Sequence, residues 1–311
     1  MGRSGGPEEE LVPRAGFDLE TLAIRGLNRD AMWKNAALPV LLPAALVGGL
    51  RLVDRFRPDV VLGVGGYAMA PAVAAARLRR IPYVLHEQNV RPGLATRLFT
   101  GGAAAVCTTF PGTESSLRAR RVVLTGLPLR EGFQPAEPRA PARRLLVTGG
   151  SQGARKINQT VWAALDGLLD RFEEVVHLAG RQGAAEVERR RRPRYRGMAF
   201  DDDMPALMRE ADLVVSRAGV GTLAELTAVG LPSILVPGTF GGAHQVENAA
   251  ALAEAGAAVL IHDDDLTPGR LLEVIDTLDA AQLRGMAAAA RRLGRRDAAR
   301  RVVAVLHEAA S

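Results

Sequence analysis

The chain has 311 residues, is 48% hydrophobic and 24% charged, and carries a formal net charge of +6, which is the composition of a folded globular protein and not of a disordered or collagen-like one. That length allows two domains of ordinary size, each with its own core. One cysteine excludes an internal disulfide, and five scattered histidines give no zinc-ligand spacing. The positive balance suits phosphates or an anionic surface, while the aromatic-studded basic groove of a nucleic-acid binder is missing, so no nucleic-acid partner is expected.

The opening MGRSGGPEEELVPRAGFDLE is glycine-rich and then acidic, without the apolar run of a signal peptide. The first strand candidate, FDLETLAI (17–24), is half polar and has no glycine turn after it. AALPVLLPAALVGGL (36–50) is the longest apolar stretch, too short to span a bilayer and broken by Pro39 and Pro43. A core helix and an element lying in a membrane interface fit it equally well, because Arg29, Lys34 and Arg51 flank it and Trp33 is adjacent. DVVLGVGG, YVLHE, AAAVCTT and RVVLTG then read as buried parallel strands separated by helical segments such as PAVAAARLRR. Cys107, inside AAAVCTT, is expected to be a buried strand thiol.

EGFQPAEPRAPAR (131–143) is proline-rich, polar and aperiodic, and reads as a linker. After it the alternation restarts with RLLVTGG, EVVHLAG, DLVVSRAG, SILVPG and AAVLIH, and the chain closes in an Ala/Arg helical region from Gln282. The pattern predicts an α/β protein of two doubly wound halves. The arginine run 189–192, with Arg194 and Arg196, reads as a solvated helix end.

Several places carry chemistry. GGSQGAR (149–155) joins a strand to a helix and can let a phosphate approach the backbone, although Ser151 as a plain N-cap gives the same pattern. SRAGVGTLAEL puts an open glycine turn before a helix starting near Thr222, whose free N–H groups suit a diphosphate; Thr222 and Glu225 also fit a capping box that needs no ligand. HQVEN (244–248) opens a helix at a strand's carboxyl end, with ordinary capping as the competing account. HEQN (86–89) ends a buried strand with four polar residues that packing explains poorly.

Taken together, VGGYAMAPAVAAA, IPYVLHEQNVRPGLATRL, FPGT, GLPLR, LLVTGGSQGARKINQT, FDDDMPALMREADLVVSRAGVGTLAEL and HQVENAAAL resemble the lipid-linked peptidoglycan N-acetylglucosaminyltransferases, from about Gly5 to past Leu266. The resemblance implies a glycosyltransferase-B fold of two Rossmann-like domains. The donor would be UDP-N-acetylglucosamine and the acceptor the N-acetylmuramyl-pentapeptide on undecaprenyl diphosphate, with inversion at the anomeric carbon and no metal or other cofactor. It implies a main-chain contact at Asp201 reading the uracil. Val220, Gly221, Thr222, Leu223 and Ala224 would line the diphosphate and ribose, with Glu225 on the ribose and Gln245 on the sugar hydroxyls. Asn89 would lie near the donor sugar, and Arg130 and Ser151 on the nucleotide side. The stretch 29–51 would meet the cytoplasmic face of the cell membrane as a peripheral surface.

The resemblance has one large departure. The family opens with a strand and a glycine loop of the form GGTGGH, and MGRSGGPEEELVPRAGF matches instead the segment just after its second strand. About 35 residues, one βαβ unit, are expected to be missing from the first domain, and with them the histidine proposed as general base. An exposed gap is expected there, and Glu87 stands as a substitute catalytic candidate. The domains expected are 1–130, facing acceptor and membrane, with helix 296–311 packing back on it; a linker at 131–143; and 144–295, binding the UDP-sugar. Rival readings are a related UDP-sugar transferase or epimerase with another acceptor, and a binding remnant without turnover.

Overall fold

The computed structural model describes residues 1–24, 38–150, 153–238 and 244–311; Arg29, Trp33, Lys34 and Ser151 fall outside them. The chain divides into two compact units, one of residues 1–125 with 300–311 and the other of residues 126–299.

In the first unit, β1 (Gly2–Arg3) is followed by α1 (Glu8–Arg14), β2 (Thr21–Leu22), α2 (Leu38–Phe56), β3 (Val61–Gly63), α3 (Ala70–Leu78), β4 (Tyr83–Glu87), α4 (Leu94–Phe99), β5 (Ala105–Thr108) and β6 (Val122–Leu124). Strands β3 to β6 form a four-stranded parallel sheet in sequential order. Its central strands are buried on both faces, which is why YVL of β4 and AVC of β5 are continuous apolar runs and not alternating ones. Of the expected strand 17–24 only Thr21–Leu22 is extended, paired in parallel with Gly2–Arg3 in a separate two-stranded sheet. The opening glycines therefore belong to a strand and the turn after it.

α2 and α3 lie against each other at very close range. A Cβ on Gly49 would stand 2.5 Å from the Pro71 carbonyl oxygen, so no larger residue fits there. α2 divides its faces: Ala45 and Val53 are buried, whereas Leu42, Val47 and Phe56 are exposed. β3 is the outer strand of its sheet, with Val64 55% exposed just beyond it. A cavity of about 240 Å³ belongs to the second unit and is described below; here a larger one, about 730 Å³, runs along β3 and is lined by Leu19, Leu52, Val53, Phe56, Leu62 and Met69 among others.

The second unit contains β7 (Arg144–Thr148), α5 (Arg155–Ala163), α6 (Leu165–Arg171), β8 (Glu174–Leu178), α7 (Ala184–Arg189), β9 (Tyr195–Met198), α8 (Met204–Glu210), β10 (Leu213–Ser216), α9 (Val220–Val229), β11 (Ser233–Leu235), α10 (His244–Glu254), β12 (Ala258–Leu260), α11 (Pro268–Thr277) and α12 (Ala280–Leu293). The six strands are all parallel, in the order β12-β11-β10-β7-β8-β9. The chain winds outward from β7 to β9 and then returns to place β10 on the other side of β7. This reversal opens a crevice at the carboxyl ends of β7 and β10, where doubly wound sheets take their ligands. β9 lies in the arginine-rich stretch and had no apolar run to announce it; Tyr195 is its only buried side chain.

Residues 131–143 do not form a free linker. Phe133 and Ala136 are buried, and the Ala136 amide donates to the Val229 carbonyl. The carboxylate of buried Asp212 accepts from the amides of Arg139, Arg143 and Arg144 at 2.7–2.9 Å and from the Arg139 guanidinium. The last helix, α13 (Ala298–Ala310), packs Val302 and Val305 onto Val84, Ala105 and Cys107 of the first sheet. Burial pushes the Cys107 thiol up to about 11, which makes it an inert core group.

Candidate functional site

The crevice in the second unit holds the pocket of about 240 Å³, lined by Arg130, Thr148, Gly150, Phe200, Asp201, Gly221, Thr222 and Glu225 among others. Five of the residues picked out from sequence thus meet in one place. Thr148 ends β7, and its hydroxyl accepts from the Gly150 amide at 3.2 Å, shaping the glycine turn. Further along this turn, Gly153 has a φ of +73°, and a Cβ there would stand 2.7 Å from the Ala179 carbonyl oxygen. Only glycine lets the loop pass so close to the end of β8.

α9 starts at Val220, two residues before the expected start, with Gly219 as N-cap and no side-chain capping bond. Thr222 and Glu225 consequently do not form a capping box. The first N–H groups of α9 stand uncapped, and the helix dipole places partial positive charge at the pocket. Gly221, Thr222 and Glu225 line the pocket, whereas Val220, Leu223 and Ala224 do not. Leu223 is fully buried, and its side chain serves the core.

Burial pushes the Glu225 carboxyl up to about 7, with nearby Arg130 pulling it down. Arg130 also donates to the Asp202 carbonyl at 3.4 Å and lies over the Phe133 ring. The Asp201 carboxylate accepts from the Asp203 amide at 2.8 Å, which turns that side chain into the loop. Phe200, 60% exposed on the pocket wall, was passed over in the sequence because one aromatic in FDDDMP carries no periodic signal. Gln245, in the first turn of α10, does not line this pocket; its Oε1 accepts from the Gly238 amide at 2.8 Å.

Behind the glycine turn lies a polar chain with no counterpart in the motif reading. His177 has one ring nitrogen 3.1 Å from the Tyr195 hydroxyl and the other 3.0 Å from Asn158 Oδ1. The Trp162 indole donates to the same hydroxyl at 2.9 Å, and Asn158 donates to the Ala179 carbonyl at 2.7 Å. Tyr195 accepts from Trp162 and so donates to Nδ1, which leaves the proton of neutral His177 on Nε2, facing Asn158. Burial lowers the pKa of His177 to about 4.

In the first unit, Asn89 is half-buried in the loop between β4 and α4. Glu87 does not have the geometry of a free base. One carboxylate oxygen accepts from the Asn89 amide at 3.0 Å and its side-chain amide at 3.4 Å, and the other accepts from the Gly93 amide at 3.1 Å. A carboxylate only 3% exposed and committed to three donors holds the loop in place. This geometry is that of a loop clamp.

Two parallel α/β units, the second doubly wound with a glycine-edged pocket and an uncapped helix at its switch point, fit the glycosyltransferase-B class. Residues 1–108 match the N-terminal domain and residues 144–302 the C-terminal domain of glycosyltransferase family 28. The chain belongs to glycosyltransferase family 28. It is 40% identical to the UDP-N-acetylglucosamine–N-acetylmuramyl-(pentapeptide) pyrophosphoryl-undecaprenol N-acetylglucosamine transferase of Syntrophotalea carbinolica, over 98% of this chain and 88% of that protein. It is 42% identical to the transferase of the same name from Anaeromyxobacter dehalogenans, over 99% of this chain and 84% of that protein. Its fold is similar to the crystal structure of Acinetobacter baumannii MurG, with a TM-score of 0.80 and 27% identity over 98% of this chain and 89% of that one.

Proposed function

We propose that this chain transfers N-acetylglucosamine from UDP-N-acetylglucosamine to the undecaprenyl-diphosphate-linked N-acetylmuramyl-pentapeptide, the step that completes the lipid-linked disaccharide of peptidoglycan. The observation that carries this reading is the identity of about 40% over almost the whole chain with transferases named for that reaction.

An acceptor hydroxyl attacks the anomeric carbon as the bond to the diphosphate oxygen breaks, inverting that centre. The hydroxyl proton passes to a base, and UDP leaves. The uncapped start of α9 supports a role in binding the departing diphosphate, whose charge its N–H groups stabilise. Asp201 offers its main chain to the uracil, with Phe200 as a flat apolar wall beside it. Glu225 takes the ribose hydroxyls, and Arg130 keeps the nucleotide end of the pocket positive. Gln245 meets the sugar, and Asn89, whose amide donates to Glu87, is assigned to the sugar by the family resemblance.

The lipid acceptor requires a membrane surface, and we assign the protein to the cytoplasmic face as a peripheral protein. No helix among the described residues is long and apolar enough to cross a membrane. The exposed Leu42, Val47 and Phe56 of α2, with Arg51 and Arg55 on the same helix, give the composition of an interfacial element.

The test is transfer of labelled N-acetylglucosamine from UDP to the lipid-linked muramyl-pentapeptide in detergent or vesicles by the purified chain, with soluble sugar acceptors alongside. Labelled lipid-linked disaccharide is the expected product. Transfer only to soluble acceptors would overturn the acceptor assignment, and binding without turnover would overturn the catalytic one.

A further inference from the structure

Arg217 follows the last residue of β10, in the stretch SRAGVG, and its side chain is 18% exposed. Its Nη1 donates to the carbonyl oxygens of Val236 at 3.2 Å and Pro237 at 3.3 Å, and to Asp263 Oδ1 at 2.5 Å. Asp263 lies three residues past the end of β12 and is 19% exposed. One guanidinium therefore ties together the carboxyl ends of three neighbouring strands, β10, β11 and β12.

The tie acts on Gln245 through two covalent steps and one hydrogen bond. Val236 and Pro237 lead directly into Gly238, whose amide donates to Gln245 Oε1 at 2.8 Å. A flipped side chain would set N–H against N–H, so the backbone donor fixes the amide with its oxygen inward and its NH₂ group outward. Gln245 in this setting offers donors, the groups that recognise the lone pairs of sugar hydroxyls. We propose that Arg217 and Asp263 are positioning residues that hold the Val236–Gly238 exit, and through it the Gln245 amide, in the orientation that binds the donor sugar. The pair governs affinity for the sugar and leaves affinity for the nucleotide to the pocket around α9. The inference rests on the donor assignment made above.

The experiment is calorimetric titration of the full chain with UDP and with UDP-N-acetylglucosamine. It uses Arg217→Lys, which keeps the charge but loses the guanidinium fork, Asp263→Ala, Gln245→Ala, and the Arg217→Lys/Gln245→Ala pair. UDP affinity is expected to stay within about twofold of the parent in every variant, which also reports that the unit is folded. The extra affinity that the sugar contributes is expected to fall about tenfold in each single variant. The double variant is expected to be no weaker than Gln245→Ala alone, because residues acting through one group are not additive. Equal loss for UDP and UDP-N-acetylglucosamine, or additive loss in the double variant, would overturn the proposal. A parent chain that binds UDP-N-acetylglucosamine no better than UDP would instead overturn the donor assignment, and the inference with it.

Discussion

His177 illustrates how a single buried group makes stability depend on pH. Its neutral ring is held between Tyr195 and Asn158, and burial lowers its pKa to about 4 against about 6.5 in the unfolded chain. Below pH 6.5 the unfolded chain takes up a proton that the folded one refuses, so stability falls until the pH reaches about 4. The total loss is about 3 kcal/mol. Glu225 acts in the opposite sense over the same range, so the slope should appear as the difference between the parent and His177→Gln in urea unfolding between pH 4 and 7. The Glu225 carboxyl is pushed up to about 7, so the stability it contributes is complete below its ordinary value of 4.5 and is lost as pH rises through 7. Glu225→Gln should remove that loss in the unliganded protein. Glu87 gives a kinetic test: as a loop clamp, Glu87→Gln keeps an acceptor and should stay within about tenfold of parent transfer rates, whereas loss of a general base costs 10²–10⁴-fold.

Elements were legible in the sequence where their residues are uniform and lost where they are short or mixed. LLV in β7, LVV in β10 and YVL in β4 are buried on both faces and announce themselves as short apolar runs. β9 could not be seen, because only Tyr195 of its four residues is buried. The stretch 131–143 read as a linker for a related reason: its fixing contacts come from a distant residue. Asp212 is pushed toward neutrality by burial, but the Arg139 guanidinium and the amides of Arg139, Arg143 and Arg144 hold its carboxyl below the ordinary value. Asp212→Ala should strand those amides and cost about 1–3 kcal/mol, measured by chemical denaturation. In the parent, the contribution of Asp212 should be lost as pH falls through its depressed pKa, the usual sign for a paired carboxylate.

On the scale of the whole molecule, the chain returns at its end to the first unit. Residues 300–311 group with residues 1–125, and Val302 and Val305 cover Val84, Ala105 and Cys107. Ending the chain at residue 299 should expose that face and lower the unfolding temperature of the first unit. UDP binding and the unfolding of the second unit should change little. Differential scanning calorimetry with and without UDP checks both halves of this prediction, since a ligand stabilises only the unit that binds it.

The sequence by itself determined the class and much of the lining of the second unit's pocket, where both rest on local chemistry. Parallel strands buried on two faces require apolar runs, and a turn that admits a phosphate requires glycine at fixed points. Of the pocket-lining residues, Gly221, Thr222 and Glu225 could be picked out because they follow such a turn, whereas Arg130 and Asp201 came from the resemblance to the family. Only the tertiary structure decided that Glu87 clamps a loop, that Leu223 belongs to the core, that Thr222 caps nothing, and that Arg217 reaches Asp263. Each of these depends on a partner brought near by the winding of the sheet. Spacing along the chain records which residues can share a turn, but not which polar groups the fold has already satisfied.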